Sequence, residues 1–222
     1  MHRWAVVGMA VAILVGCRSV PFQETRLVSL AGVDPDWLRE QFALAVPVTF
    51  RIVNTVTFEF KGHAFAAIGY TDVDTSKQTF TVVGLHPAGG IKLFEISGDS
   101  EDVDCRFAVE ELSTRGDFAR AVADDTRRMY FDRVPSPDAE IFEERLRIVF
   151  RQDAAEGEIE YVFAGSDGVL IKKRYYQDGN KIWSVSYYEY RRERGKLYPE
   201  GIIFEHHDYG YRLVIRLREI RS

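Results

Sequence analysis

Cysteine is scarce in this chain: only Cys17 and Cys105 occur among its 222 residues. The two lie far apart and lack the close spacing of a cysteine pair that binds zinc. No pattern of histidine or asparagine indicates a catalytic thiol at Cys105. We therefore expect Cys105 to be a buried structural thiol, since free cysteine packs as a small hydrophobe.

Positive charge is also in deficit, with 29 lysines and arginines against 34 aspartates and glutamates and a net charge of −5. An acidic chain is a poor partner for nucleic acid, and it lacks a polybasic segment that would bind an anionic membrane surface. Enzyme motifs are missing as well, because the sequence has no His-Glu-x-x-His, no Gly-x-Ser-x-Gly and no phosphate-binding loop. The sequence thus predicts a protein that is not an enzyme, with no catalytic residue, no metal and no cofactor.

Three polar clusters look like sites but have simpler explanations. The run from Gly165 to Gly168 reads as a turn. His206 and His207 are neighbours on a strand, so they face opposite sides and do not share a metal; we expect surface polar residues. Glu158 and Glu160 share a strand face, about 7 Å apart by strand rise, and this pattern is typical of a solvated face.

Hydrophobic runs long enough to cross a membrane are absent. The uncharged apolar stretch Trp4–Val15 holds twelve residues, whereas a spanning helix needs about 20. Arg3 precedes the stretch and the small Gly16 follows it. This is the layout of a secretory signal peptide, which we predict over residues 1–16.

The sequence Leu14-Val15-Gly16-Cys17 resembles the bacterial lipobox. In that signal the bond before cysteine is cut, and the cysteine receives lipid on its sulfur and its amine. The resemblance implies that Cys17 anchors the protein to a membrane without a spanning helix, because two or more acyl chains hold firmly. An ordinary signal peptide with an incidental cysteine is the alternative.

The residue after Cys17 is Arg18. Asp at this position resembles an inner-membrane retention signal in Gram-negative lipoproteins, and its absence indicates the outer membrane, on the periplasmic face. We expect residues 17–27 to form the lipidated cysteine and a short polar tether. A single domain follows over residues 28–222, a length that supports one core.

Most of that domain alternates between apolar and polar residues, the period of antiparallel strands with one dry face. The clearest alternating sets are Val56/Phe58/Phe60, Leu146/Ile148/Phe150, Ile159/Tyr161/Phe163 and Leu213/Ile215/Leu217. Turn sequences that favour hairpins separate the later strands: Gly165–Gly168, Asp178–Asn180 and His207–Gly210. The fold class is therefore mainly β (α+β), a single curved antiparallel sheet of about ten strands.

Two segments have the pattern of helices instead. Asp34 and Pro35 begin one, as a cap and a first-turn proline, and it continues to Ala45. The second runs over Asp117–Phe131, and its charged cluster from Asp124 to Arg128 is expected to face solvent. Two helices are few for such a sheet, so its apolar face is either filled by its own side chains, covered, or left open for an apolar ligand.

One predicted hairpin is rich in aromatic residues. Alternation places Trp183 and Tyr187 on one face, and Tyr188 and Tyr190 on the other. Cross-strand ring packing accounts for this pattern, and the wall of a ligand cavity is the alternative. Small residues would leave room for a ligand if they faced inward: Ser184, Ser186, Ala64 and Ala66.

The run Phe80–Ile96, FTVVGLHPAGGIKLFEI, resembles a stretch of the bacterial lipoproteins grouped as domain of unknown function 3261. The second helix, the aromatic hairpin and the ending LYPEGIIFEHHDYGYRLVIRLREI agree in order, so the resemblance covers about Val48–Ile220. This family is similar to LolA and LolB, the periplasmic and outer-membrane carriers of lipoproteins. The resemblance implies an incomplete LolA/LolB-like β-barrel, with helices as a lid and a hydrophobic cavity that accepts acyl chains.

Members similar to this chain also often look like components encoded in gene clusters for aryl polyenes or other lipid-like products. In LolB the hairpin that corresponds to Pro87, Ala88 and Gly89 carries an exposed leucine thought to help membrane insertion. The resemblance makes these three residues the expected membrane-facing hairpin. Ala88 buries far less apolar area than leucine, which departs from the LolB pattern.

These observations predict a carrier that binds a hydrophobic or acylated ligand, such as a lipid, a lipoprotein or a polyene-type product, with a periplasmic carrier protein as a possible partner. The candidate cavity residues are Phe58, Phe60, Leu85, Leu93, Ile148, Phe150, Tyr161, Phe163, Leu213 and Ile215. The alternative is a filled half-barrel that serves as a scaffold in a periplasmic assembly without a ligand. A hydrolase acting on lipids is a third, weaker hypothesis.

Overall fold

The computed structural model describes residues 20–114 and 116–221, so the predicted signal peptide and Cys17 lie outside the described residues. These residues form one antiparallel sheet of twelve strands and three helices, two strands more than the sequence indicated. The strands are β1 (Thr49–Phe60), β2 (His63–Asp74), β3 (Thr79–Leu85), β4 (Lys92–Gly98), β5 (Val103–Ala108), β6 (Glu140–Glu144), β7 (Arg147–Ala154), β8 (Gly157–Ala164), β9 (Val169–Gln177), β10 (Asn180–Glu193), β11 (Lys196–His206) and β12 (Tyr211–Arg221). The helices are α1 (Pro35–Ala45), α2 (Glu110–Ser113) and α3 (Phe118–Tyr130).

The strand order is β5-β4-β3-β2-β1-β12-β11-β10-β9-β8-β7-β6. Two meanders are therefore joined by the pairing of the first strand with the last, from Arg51 opposite Arg221 to Phe60 opposite Tyr211. The edge strands β5 and β6 do not pair with each other, so the curved sheet stays open. Between these edges the chain runs through α2, α3 and the loop that follows.

Helix α1 begins where its sequence predicts. Asp34 Oδ1 accepts the backbone N–H of Asp36 at 2.9 Å, and proline occupies the first turn. Phe42 points from α1 into the concave side of the sheet and packs edge-to-face on Phe163, with ring centroids 5.1 Å apart. The helix thus closes the concave side over β8 to β10.

Helix α3 crosses the concave side of the other half. Its start is capped by Asp117, and Phe118 packs on Phe94 of β4 with ring centroids 5.3 Å apart. The prediction that its charged cluster faces solvent is wrong for Asp125, which is buried. Asp125 faces the sheet, because Arg127 lies on the opposite side of α3 and points toward the loop after β4. There Arg127 Nε donates to the carbonyl of Asp99 at 2.7 Å.

The segment predicted as a tether is partly packed on the outer face of the sheet. Phe22 is buried there and stacks on Tyr188, with ring centroids 5.3 Å apart. It fits because Gly201 beneath it has no side chain: an added Cβ would lie 2.4 Å from the ring. Arg216 covers Phe22 and donates to the carbonyl of Pro21 at 2.6 Å. Packing therefore begins near residue 21 rather than at residue 28.

Two further expectations are corrected. Cys105 is exposed rather than buried, because β5 is an edge strand. Tyr190 lies on the inner face with Trp183, where its hydroxyl donates to the carbonyl of Leu170 at 2.7 Å. The alternation slips at Glu189, which has a φ of +51°.

Among the described residues, no helix has the length and apolar character needed to span a membrane.

Candidate ligand-binding face

The concave face is built from cross-strand rows of side chains, in which each residue is paired with its neighbour across the ladder. The register aligns one such row over nine strands, β2-β1-β12-β11-β10-β9-β8-β7-β6. We call it the central row, and its members in this order are Phe65, Phe58, Leu213, Phe204, Val185, Lys173, Tyr161, Phe150 and Ile141. Four predicted cavity residues, two from the neighbouring strands β1 and β12 and two from the neighbouring strands β8 and β7, therefore lie in one line.

Four more predicted residues belong to the two flanking rows. Phe60 is in the row on the side of the β1–β2 turn, where it pairs with Tyr211. On the other side are Ile215, which pairs with Val56, and the directly paired Ile148 and Phe163.

The remaining two predicted residues lie elsewhere. Leu85 pairs with Ile68 and follows Gly84, whose added Cβ would meet the inner Phe94 ring, so Leu85 faces outward. Leu93 sits at an irregularity of the β4 ladder, and its carbonyl accepts the N–H of Val109 at 2.9 Å. The structure thus does not bring either residue to the central row.

Burial increases along the central row from β2 to β7, and Ile141 on the edge strand β6 is half-buried again. Phe65 is 41% exposed at the β2 end, Phe58 and Leu213 are half-buried, and Phe204, Tyr161 and Phe150 are fully buried. We call the half-open end the mouth, and it consists of Val56, Phe58, Phe60, Phe65 and Leu213. The other end is filled core beneath α1.

Aromatic rings connect the mouth to the filled end. Tyr175 stacks on Trp183 at 5.7 Å between ring centroids, and Trp183 lies 6.5 Å from Phe204. The contacts continue through Tyr211 to Phe58, with 5.5 Å between their ring centroids. Apolar ring surface therefore runs across five strands beside the row.

The small residues expected to open a cavity do not face it. Ala64 and Ala66 pair with Glu59 and Thr57, one residue out of step with Phe58, so both face outward. Ser184 and Ser186 likewise alternate with the inward Trp183 and Val185. Room on the concave side therefore depends on the lid rather than on small wall residues.

Polar groups attach α3 to the sheet beside the central row. The Tyr211 hydroxyl donates to Asp125 Oδ2 at 2.6 Å, and Arg128 Nη1 lies 3.1 Å from Asp125 Oδ1. The Tyr187 hydroxyl donates to the carbonyl of Met129 at 2.9 Å. Burial raises the pKa of Asp125 to about 7, because the charged carboxylate loses more hydration than these partners restore.

Lys173 is the charged member of the central row and is buried. Its Nζ donates to the carbonyls of Phe131 at 3.1 Å and of Arg128 at 3.4 Å. Burial lowers the pKa of Lys173 to about 8; the Asp132 carboxylate opposes that lowering of the pKa, and the positive charge of Arg133 adds to it. The interior beneath α3 therefore contains cationic groups, which alternation alone did not indicate.

His206 departs from the expected surface position. It is buried among the rings of Phe204, Tyr209 and Tyr211. Burial lowers the pKa of His206 to about 4. Its neighbour His207 faces the other side, where its Nε2 lies 3.2 Å from Ser184 Oγ. Within residues 20–114 and 116–221, no group of three or more His, Cys, Asp or Glu side chains is arranged to hold a metal ion.

The expected membrane-facing hairpin connects β3 and β4. Pro87, Ala88 and Gly89 are exposed at its tip, which the bond from the N–H of His86 to the carbonyl of Ile91 closes at 2.8 Å. Ile91, just beyond the tip, is 66% exposed. The predicted membrane-facing residues do not include this apolar residue, although it follows the two glycines directly in the sequence.

Three solved structures are similar to this chain. The chain aligns with a LolA superfamily protein of Nitrosomonas europaea at a TM-score of 0.56 and 15% identity, over 85% of this chain and 93% of the other. An outer membrane lipoprotein-sorting protein domain from Vibrio parahaemolyticus aligns at 0.49, with 9% identity and coverage of 84% and 90%. A DUF1329 family protein from Desulfovibrio piger aligns at 0.48, with 8% identity and the same coverage.

No curated protein sequence matches the chain. The model of a family described as a protein of unknown function, DUF3261, matches residues 51–219. This segment is most of the chain and agrees with the extent that the sequence motifs indicated. The protein therefore belongs to the DUF3261 family and has a LolA-like fold.

Proposed function

We propose that this protein is an envelope lipoprotein that binds one hydrophobic or acylated molecule on its concave face and transfers or inserts it at a membrane. The ligand is a lipid, the acyl part of a lipoprotein or a polyene-type product, and a periplasmic carrier protein is a candidate donor or acceptor. Cys17 anchors the domain to the periplasmic face of the outer membrane. No covalent step is required at the site.

The mouth is the observation that carries this proposal. Its five residues line adjacent strands of a concave face and are half-open, although the rows they belong to continue into a fully buried core. Large contiguous apolar patches are rare on the surface of folded domains, and they often mark a binding site. Apolar burial there would contribute about 25 cal/mol per Å².

An acyl chain needs more space than the closed interior offers. A cavity of about 10 Å³ lies between the C-terminal end of α3 and β1, β11 and β12, roughly the space that one water molecule needs. In this proposal the ligand first covers the mouth and then extends beneath α3 as the helix lifts. The polar attachments of α3 to β9–β12 would be exchanged for apolar burial.

Native mass spectrometry of the full chain, purified from membranes in a mild nonionic detergent, tests ligand binding. We expect a co-purifying hydrophobic molecule, and at least a threefold lower occupancy in Phe65→Ser, because that change puts a hydroxyl in the mouth. Phe107→Ser is the matched control, since Phe107 is 42% exposed on the edge strand β5. Equal occupancy in the two variants would show that the ligand does not bind at the mouth.

A scaffold without a ligand is the second candidate, and the filled interior under α1 favours it. A scaffold presents its surface to a protein and needs no interior space. Repeated purification with no bound molecule, together with no uptake of an added acyl ligand, would establish that candidate instead.

The anchor is tested separately. We expect a cell that expresses the chain to incorporate labelled palmitate into it, and Cys17→Ser to abolish the label, because the thiol is the acylation site that the lipobox requires. Cys105→Ser is the control and should keep the full label. Label that persists in Cys17→Ser would exclude the lipobox.

A further inference from the structure

Arg133 is a buried cation that forms no salt bridge with the residues the structure describes. It follows α3 in the loop toward β6 and is buried beneath that helix. Its hydrogen bond runs from Nη2 to the carbonyl of Pro47 at 3.4 Å, and its guanidinium lies 5.6 Å from the centre of the Phe50 ring. No carboxylate of the described residues lies within 4.0 Å of it, and the adjacent Asp132 is exposed.

The other two buried arginines among the described residues are paired. Arg212 Nη1 lies 3.2 Å from Glu59 Oε2, and Arg39 Nη2 lies 2.8 Å from Asp36 Oδ1. Burying a guanidinium without a carboxylate is costly, since its hydration is lost and little is gained in return. The folded chain thus keeps Arg133 buried without a salt bridge to any of its described residues.

A cavity lies directly at this cation. Its polar lining comes from Arg133, Asn54, Tyr130 and Tyr198, and the buried Tyr130 hydroxyl lies beside the Asn54 side chain. The rest of the lining is mostly apolar and includes Ile202 and Ile215. The lining of the cavity therefore combines hydrogen-bond donors for an anion with hydrocarbon side chains.

The inner face of the sheet connects this cavity to the mouth. Along β12 the inward residues run from Leu217 through Ile215 to Leu213, a member of the mouth. Four residues of strand span about 13 Å, the length of roughly ten chain carbons. Val56 and Asn54 of β1 lie opposite this path.

We propose that Arg133 binds the anionic headgroup of an acyl-chain ligand, a carboxylate or a phosphate, while the chain extends along β12 to the mouth. This rests on the proposed function and adds the class of ligand. A guanidinium binds either anion by donating two parallel N–H···O bonds to its oxygens. Lys173, which is buried and donates to backbone carbonyls, adds positive charge on the same side of the sheet, partly offset by the Asp132 carboxylate.

The test compares ligands that share a chain and differ in charge. The full chain, in nonionic detergent, is titrated with oleate, oleyl alcohol and oleoyl lysophosphatidate, and bound ligand is counted by native mass spectrometry. We expect at least one of the two anions to bind tenfold better than the alcohol. The anion that binds best identifies a carboxylate or a phosphate headgroup.

Variants locate the preference. In Arg133→Met we expect oleyl alcohol to bind as before and the tenfold preference to fall below twofold, whereas Arg133→Lys keeps part of it. Arg212→Met, which removes a buried but paired arginine, should keep the preference. A merely structural role for Arg133 would change stability without changing the ratio of the two ligands.

The outcomes separate the two proposals. If wild-type protein binds oleate, lysophosphatidate and oleyl alcohol equally, the headgroup inference is overturned and the carrier function stands. If it binds none of them, the carrier function itself fails. The comparison of the three ligands uses wild-type protein alone. It can therefore overturn the headgroup inference even if Arg133→Met folds poorly.

Discussion

Asp125 shows what a single residue does at the boundary between lid and sheet. Its carboxyl accepts the Tyr211 hydroxyl from β12 and contacts Arg128 on its own helix, so it links α3 to the sheet. The neighbouring carboxyl of Asp124 is more exposed and pairs with Arg127 on the other side of the helix. The link through Asp125 is therefore sensitive to its protonation state.

We expect Asp125 to make stability depend on pH. Its folded pKa of about 7 lies above the value near 3.9 of an unfolded chain. The native state thus holds an extra proton between these values, and the free energy of unfolding falls as pH rises from about 4 to 7. Asp125→Asn removes that loss, so its stability relative to wild type should rise by on the order of 2–4 kcal/mol between pH 4.5 and pH 8.

Urea unfolding of both proteins at several pH values measures this. His206 opposes the trend, because its folded pKa is lowered to about 4, but it does so equally in both proteins. Asp124→Asn is the matched control, since that side chain is 36% exposed, and its profile should follow wild type. Parallel profiles for wild type and Asp125→Asn would contradict the expectation.

At the scale of elements, local signals predict well and long-range ones do not. The alternation in β7, β8 and β12 and the cap at Asp34 are encoded within a few residues, so these strands and α1 occur as expected. The slip at Glu189 requires a positive φ at a residue other than glycine, which no local pattern announces. Tyr190 was therefore assigned to the wrong face.

The candidate site was likewise predictable only where local signals determine it. Eight predicted cavity residues face inward because alternation fixes which side of a strand is dry. Which of them stay open depends on where α1 and α3 pack, and this is a tertiary property. Phe22 is a similar case, since its burial requires Gly201 and Tyr188, which lie far away in the sequence. Arg133 is ordinary in the sequence and unusual only once its surroundings are known.

For the whole molecule, the route of the chain decides what can move. The segment that contains α2 and α3 connects edge strand β5 to edge strand β6, and β1–β12 pairing joins the two meanders independently of it. Lifting α3 would therefore break no strand pairing. It would break the side-chain bonds to β9–β12 and the contacts of Met129 and Tyr130 with the core. Such a lid opens at lower cost than any strand of the sheet.

We expect amide hydrogen exchange to follow the order in which these elements can open. Once lifted, a helix of 13 residues has little stability in water, so its amides should exchange at least ten times faster than those of β10 and β11, which are paired on both sides. Helix α1 is the internal control: Phe42 is fixed between Phe163 and Tyr190, so α1 should exchange more slowly than α3. Exchange measured by mass spectrometry on the full chain decides this. If α3 is as protected as β10, the helix does not lift, and the carrier would have to admit its ligand by another route.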